Sequence, residues 1–97
     1  MMLTGKQKRT LRGLAHDLEP VVHVGKAGLT DELVGQVARA LDAHELIKVR
    51  VLVGKDGKDA LVAELERETG AAEAGRVGHV SILYRRHPDP EKRRIKV

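Results

Sequence analysis

The chain has 97 residues, 41% of them hydrophobic, enough for one core and one domain but not for two. It holds one Tyr and no Phe, Trp or Cys, so aromatic base-stacking platforms, disulfides and thiolate metal sites are excluded, and Val, Leu, Ile and Ala must fill the interior. The net charge is +4, yet residues 1–16 carry four bases and no acid, residues 84–97 six bases and two acids, and residues 17–83 eight bases and twelve acids. All positive excess therefore sits at the two ends, which predicts one basic face directed at a polyanion and an acidic face turned away from it, provided the fold brings the ends together.

Thr4-Gly5-Lys6-Gln7 matches a capping box and opens a first helix that runs to about Leu14–His16. Leu11, Leu14, Ala15 and, just beyond, Leu18 fall on one side of it, and Lys6, Lys8, Arg9 and Arg12 spread over the other. Such a basic side is either a solvated surface or a nucleic-acid contact; four bases without an acid favour the contact. After Pro20, Val21 to Val24 read as a short buried strand.

Gly25-Lys26-Ala27-Gly28 follows, and Thr30 is placed to cap a second helix. A loop with glycine at both corners can bring backbone N–H groups close to a phosphate, with Lys26 adding a mobile positive charge; the same string is also an ordinary turn. Asp31 and Glu32 already satisfy the helix dipole, so a phosphate should sit to the loop side, near Lys26. The second helix, about Asp31 to Ala43, turns Leu33, Val34, Val37, Ala38 and Leu41 inward, with Gln36, Arg39 and Asp42 outside.

Leu46 to Val53 reads as a second strand, parallel to the first, with Ile47, Val49, Val51 and Val53 on one face and Lys48 and Arg50 on a partly open one. Gly54 to Gly57 reads as a turn. A third helix, about Asp59 to Thr69, buries Leu61, Val62, Leu65 and Thr69, shows Asp59, Glu64, Glu66 and Glu68 to solvent, and stops at Gly70. Residues 72–86 suggest a hairpin turning at Val77-Gly78-His79-Val80, with a weak first strand. In its second strand Val80, Ile82 and Tyr84 share a side, which assigns Tyr84 to the core in preference to stacking on a base. Arg85 and Arg86 either pair with acids of the second or third helix or extend the basic face. Residues 87–97 read as a basic tail, mobile in the free protein.

His16, His23, His44, His79 and His87 show no metal-ligand spacing, and the first and third of these suit helix ends. There is no P-loop, activated nucleophile or paired carboxylate, so neither an enzyme, nor a cofactor, nor a small-molecule substrate is expected. No segment is apolar enough to span a bilayer or resembles a signal peptide, which suggests a cytoplasmic protein without membrane contact. The lack of a large apolar stripe suggests a monomer.

Leu3–Gln7, Leu11–His16, Pro20–Thr30, His44–Val49, Glu68–Ala71 and Leu83–Arg85, in this order and spacing, together resemble the CRM domain (chloroplast RNA splicing and ribosome maturation) in its stand-alone bacterial YhbY-type form. The resemblance covers nearly the whole chain. It implies an αβαβαββ fold of the α/β (α+β), two-layer kind with a four-stranded mixed sheet, similar to the C-terminal domain of translation initiation factor three. It also implies RNA binding, with structured rRNA of the large-subunit precursor as partner. Carried over by position, Gly25, Lys26, Ala27 and Gly28 match the family's RNA-contacting loop, and Lys6, Lys8, Arg9 and Arg12 an assisting surface; Arg85 and Arg86 complete the candidate set. The sequence departs from the family pattern at Gly75 and Arg76, and at His79, where lysine is common. The other reading is a protein-protein adaptor on the ribosome, docking through the acidic third helix and the basic ends with little direct RNA contact.

Overall fold

A computed structural model describes residues 2–97 and, of Lys55, the backbone only. The order is α1 (Gly5–Ala15), β1 (Pro20–Val24), α2 (Asp31–His44), β2 (Leu46–Val51), α3 (Lys55–Thr69), β3 (Ala72–Val77), β4 (Val80–Tyr84) and a 3-10 turn over Pro90–Lys92. The strands form one mixed sheet ordered β1-β2-β4-β3, with β1 and β2 parallel and the other pairs antiparallel. This is the expected αβαβαββ arrangement.

Strand alternation divides the interior in two. Val22 and Val24 of β1, Ile47, Val49 and Val51 of β2, and Leu83 of β4 meet Val37 and Leu41 of α2 and Leu61, Val62 and Leu65 of α3. On the other face α1 lays Leu11 and Ala15 over Leu46, Ala74, Ile82 and Tyr84. The sheet and the α2–α3 layer are thus joined by α1 as partial cover on the second face. Tyr84 is in the core as expected, though its buried hydroxyl finds no partner among the described residues.

Local chemistry sets the boundaries. Thr4 and Gln7 form the reciprocal capping box at 2.9 and 3.1 Å, and Thr30 accepts from the Leu33 N–H at 3.1 Å. The Gly54–Gly57 segment is a turn only in the sense that it is the first turn of α3: Gly54 is the N-cap, and its carbonyl accepts from the N–H groups of Gly57 and Lys58. β2 stops at Val51, because the Leu52 N–H makes a last bond to the Val24 carbonyl before the chain turns away with Leu52 exposed. Val21 is half exposed, since β1 is an edge strand that α1 does not reach; Leu14 and Leu18 are exposed beside it.

Residues 87–97, expected to be a mobile tail, fold back along the α1 side, where Ile95 and Val97 pack with Leu3 against the second core. Their anchor is Glu45, which is buried and has φ +63°, the one left-handed non-glycine backbone among the described residues. Its carboxylate accepts from the backbone N–H groups of His87, Arg94 and Ile95. Burial pushes this carboxyl up, but the three N–H groups and the nearby His87 outweigh it and hold the pKa below the ordinary value.

Candidate nucleic-acid interface

The loop between β1 and α2 is fixed at both ends and bare in the middle. Val24 is fully buried at one end and Thr30 caps α2 at the other. Between them the Gly28 N–H donates to the Gly25 carbonyl at 3.0 Å, and Lys26 and Ala27 are exposed. The two glycines have different reasons. Gly28 has φ +80°, a conformation side chains rarely adopt; Gly25 has no such φ, and among the described residues a Cβ there would meet nothing within 4 Å. Folding does not require glycine at position 25, whereas close approach of a ligand to the backbone would. Asp31 and Glu32 lie in the first turn of α2, so an anion is favoured on the Lys26 side and opposed on the helix axis.

The surface next to this loop is an open strip of the α1 face of the sheet. His23 pairs in register with Arg50, Arg50 with Val80, and Lys48 with Ile82. His23, Arg50 and Lys48 therefore share the face that α1 covers only beyond them, and the Lys48 Nζ reaches the carbonyl of His16 at 3.3 Å. Lys48 and Arg50 were not among the candidate residues. Their signal was the alternation within β2, which marked them as facing an open surface without showing that the loop borders it.

The other candidates divide into two groups. On α1, Lys6 and Arg9 are exposed and Lys8 half-buried, and none makes an ion pair among the described residues. Arg12 is tied by its guanidinium to the Ala74 carbonyl at 3.0 Å. Arg85 is engaged elsewhere: it donates to the Thr69 carbonyl at 2.6 Å, the Ala38 carbonyl at 3.0 Å and Asp42 at 2.6 Å. It braces the ends of α2 and α3 on the opposite face, beyond the Leu46–Tyr84 pair at the far end of β2 from the loop, about 20 Å away at the usual rise per residue. Of its two expected roles, the pair with Asp42 is the first, an ion pair with an acid of the second helix. Arg86 is exposed at that same far end, with Arg93, Arg94 and Lys96.

Charge separates by face. Leu3, Ile95 and Val97 bring both basic ends of the chain to the α1 side. On the α3 side, Arg76 bridges Glu73 at 2.9 Å and Asp59 at 2.7 Å, and Glu73 also accepts from Ser81. Hydrogen bonds to Glu73 and then Asp59 hold the Arg76 pKa above its ordinary value. No helix among the described residues is long and apolar enough to cross a membrane.

The family model of the CRS1 / YhbY (CRM) domain matches residues 3–85. The chain belongs to this family. This CRM domain is 44% identical over 84 residues to an RNA-binding protein of Haemophilus influenzae, covering 86% of this chain and 85% of that one. It is 42% identical over 85 residues to the probable RNA-binding protein YqeI of Bacillus subtilis, covering 87% and 88% of the two chains. In three dimensions the CRM domain superposes on the solution structure of a hypothetical protein from Staphylococcus aureus with a TM-score of 0.82 at 35% identity, covering 98% of this chain and all of that one.

Proposed function

We propose that this CRM domain is a non-catalytic RNA-binding protein, and that it holds the backbone of structured rRNA in the cytoplasm during assembly of the large ribosomal subunit. The observation that carries the reading is Gly25: a bare corner that neither φ nor packing requires, beside the exposed Lys26. Its loop supplies N–H groups and one cation to a phosphate. Lys6, Lys8 and Arg9 on α1, with Lys48 and Arg50 on the open strip, supply attraction that positions the RNA without selecting sequence. The relatives named for RNA binding add support of a different kind.

The test is Lys26→Glu. Its binding to large-subunit rRNA should weaken across sequences, the salt dependence should lose about one unit of slope, and in a density gradient of cell extract the variant should leave the subunit precursors that the parent accompanies. Equal binding by parent and variant overturns the clamp.

A protein adaptor is the second reading. It is favoured by an apolar groove of about 450 Å³ lined by Leu14, Leu18, Val21, Leu46 and Ile95, among others. Co-sedimentation that survives ribonuclease digestion and the Lys26→Glu change would select it.

A further inference from the structure

A second recess lies on the α1 face, and the backbone clamp shares only Lys48 with it. α1 and the β3–β4 hairpin enclose a cleft of about 450 Å³ lined by Arg12, His16, Lys48, Val77, Val80 and Ile82, within the size range of small-ligand sites. Its floor and lip are aliphatic: Val77, at the lip, faces Val80 across the hairpin, and Ile82 follows on the same side. Arg12 and Lys48 form its cationic rim.

Arg12 is held there by a feature that looks like a defect in the strand. The β3–β4 register shifts between Glu73 and Gly75, and a Cβ on Gly75 would stand 2.5 Å from the Arg12 Cδ. Only glycine lets the arginine stem lie across β3 and its guanidinium reach the Ala74 carbonyl. The result is a planar cation fixed at the edge of an apolar slot. Unpaired bases are commonly stacked on aromatic rings or on guanidinium planes; in a chain with one Tyr and no Phe or Trp, the guanidinium and the valines are the surfaces left for this.

We infer that the cleft receives one unstacked nucleobase of the RNA whose backbone the Gly25–Gly28 loop holds. The inference rests on the RNA-binding reading and adds to it a preference for a flexible, single-stranded nucleotide. The positions agree: Lys48 in the cleft is three residues along β2 from Val51, which pairs with Val24 at the foot of the loop. That is about 10 Å, a span that a few nucleotides cover.

The experiment compares a short oligoadenylate with an abasic strand of equal length, on the full chain and on Val77→Gln and Lys26→Glu, with methyl NMR as second readout. Val77 is 71% exposed at the lip of the cleft, so the glutamine variant should fold. The parent should bind oligoadenylate about fivefold to tenfold more tightly than the abasic strand. The methyl resonances of Val77, Val80 and Ile82 should shift with oligoadenylate alone, as an aromatic ring placed over them requires. Val77→Gln should lose that preference and keep its affinity for the abasic strand, whereas Lys26→Glu should weaken both strands equally. Equal binding of the two strands by the parent, or a Val77→Gln variant that retains the preference, overturns the base site and leaves the loop reading to the Lys26 result. Failure of the parent to bind either strand overturns the base site as well. A base preference with no effect of Lys26→Glu overturns the loop and retains the cleft.

Discussion

Glu45 joins two liabilities that can be separated by mutation: a backbone that side chains avoid and a buried carboxylate. With φ +63° and ψ −39°, the residue carries local strain of order 1–3 kcal/mol, and its carboxylate accepts from three backbone N–H groups of the tail. Hydrogen bonds to a charged group are worth about 1.5–3 kcal/mol each, but the tail can return its N–H groups to water, so loss of the carboxylate should cost about 2–4 kcal/mol in all. Glu45→Ala loses the anchor and keeps the strain. Glu45→Gly loses the anchor and relieves the strain, so it should be the more stable of the two by about 1 kcal/mol, the reverse of the usual order for this pair. The sign of the pH dependence follows from the lowered carboxyl pKa: the stabilisation is present above the ordinary value near 4.5 and disappears as pH falls through the lower folded value. Urea unfolding of the parent, Glu45→Gln, Glu45→Ala and Glu45→Gly at pH 7 and down to pH 3 tests both parts. An alanine variant at least as stable as the glycine variant refutes the backbone argument. A parent-to-glutamine gap that does not narrow below pH 4.5 refutes the electrostatic one.

The two loop glycines should separate folding from binding: Gly25→Ala changes stability by less than about 0.5 kcal/mol and weakens RNA binding, while Gly28→Ala costs about 1 kcal/mol because its φ stays positive; unfolding curves and RNA titrations read both. Arg85→Ala should destabilise by about 1–3 kcal/mol, since the Thr69 and Ala38 carbonyls lose their donor, without changing the salt slope of RNA binding. A lower slope would return Arg85 to the interface. Tyr84→Phe should leave stability unchanged or raise it by about 1 kcal/mol, because the hydroxyl removed is buried without a partner among the described residues; a loss in thermal unfolding would show that the hydroxyl is satisfied.

What the sequence discloses here is what short-range pattern determines. α2 was legible from Val37 and Leu41 at helical spacing behind a capping Thr30, and the loop from its paired glycines. The sequence shows that Lys48 and Arg50 share a side, but not that His23 joins them, since that depends on the register between two strands. Arg85 was ambiguous for a related reason. Its partners include the main-chain carbonyls of Thr69 and Ala38, and a carbonyl has no letter in the sequence. The tail, rich in charge and broken by Pro88 and Pro90, has the composition of a mobile segment; nothing local shows that Glu45, at the end of α2, offers it an anchor. Gly75 has the look of a weakness in β3 from sequence alone, and the reason for it, the stem of Arg12 lying across the strand, comes from a residue far away in the chain.

The second core makes the two basic segments of the molecule depend on each other. It takes Leu3 and Leu11 from the segment around α1 and Ile95 and Val97 from the segment after β4, whereas the described residues of the α2–α3 core lie between Val22 and Leu83. Release of residues 87–97 from Glu45 therefore loosens the seat of the basic helix and leaves the α2–α3 side of the sheet closed, a local opening on one face only.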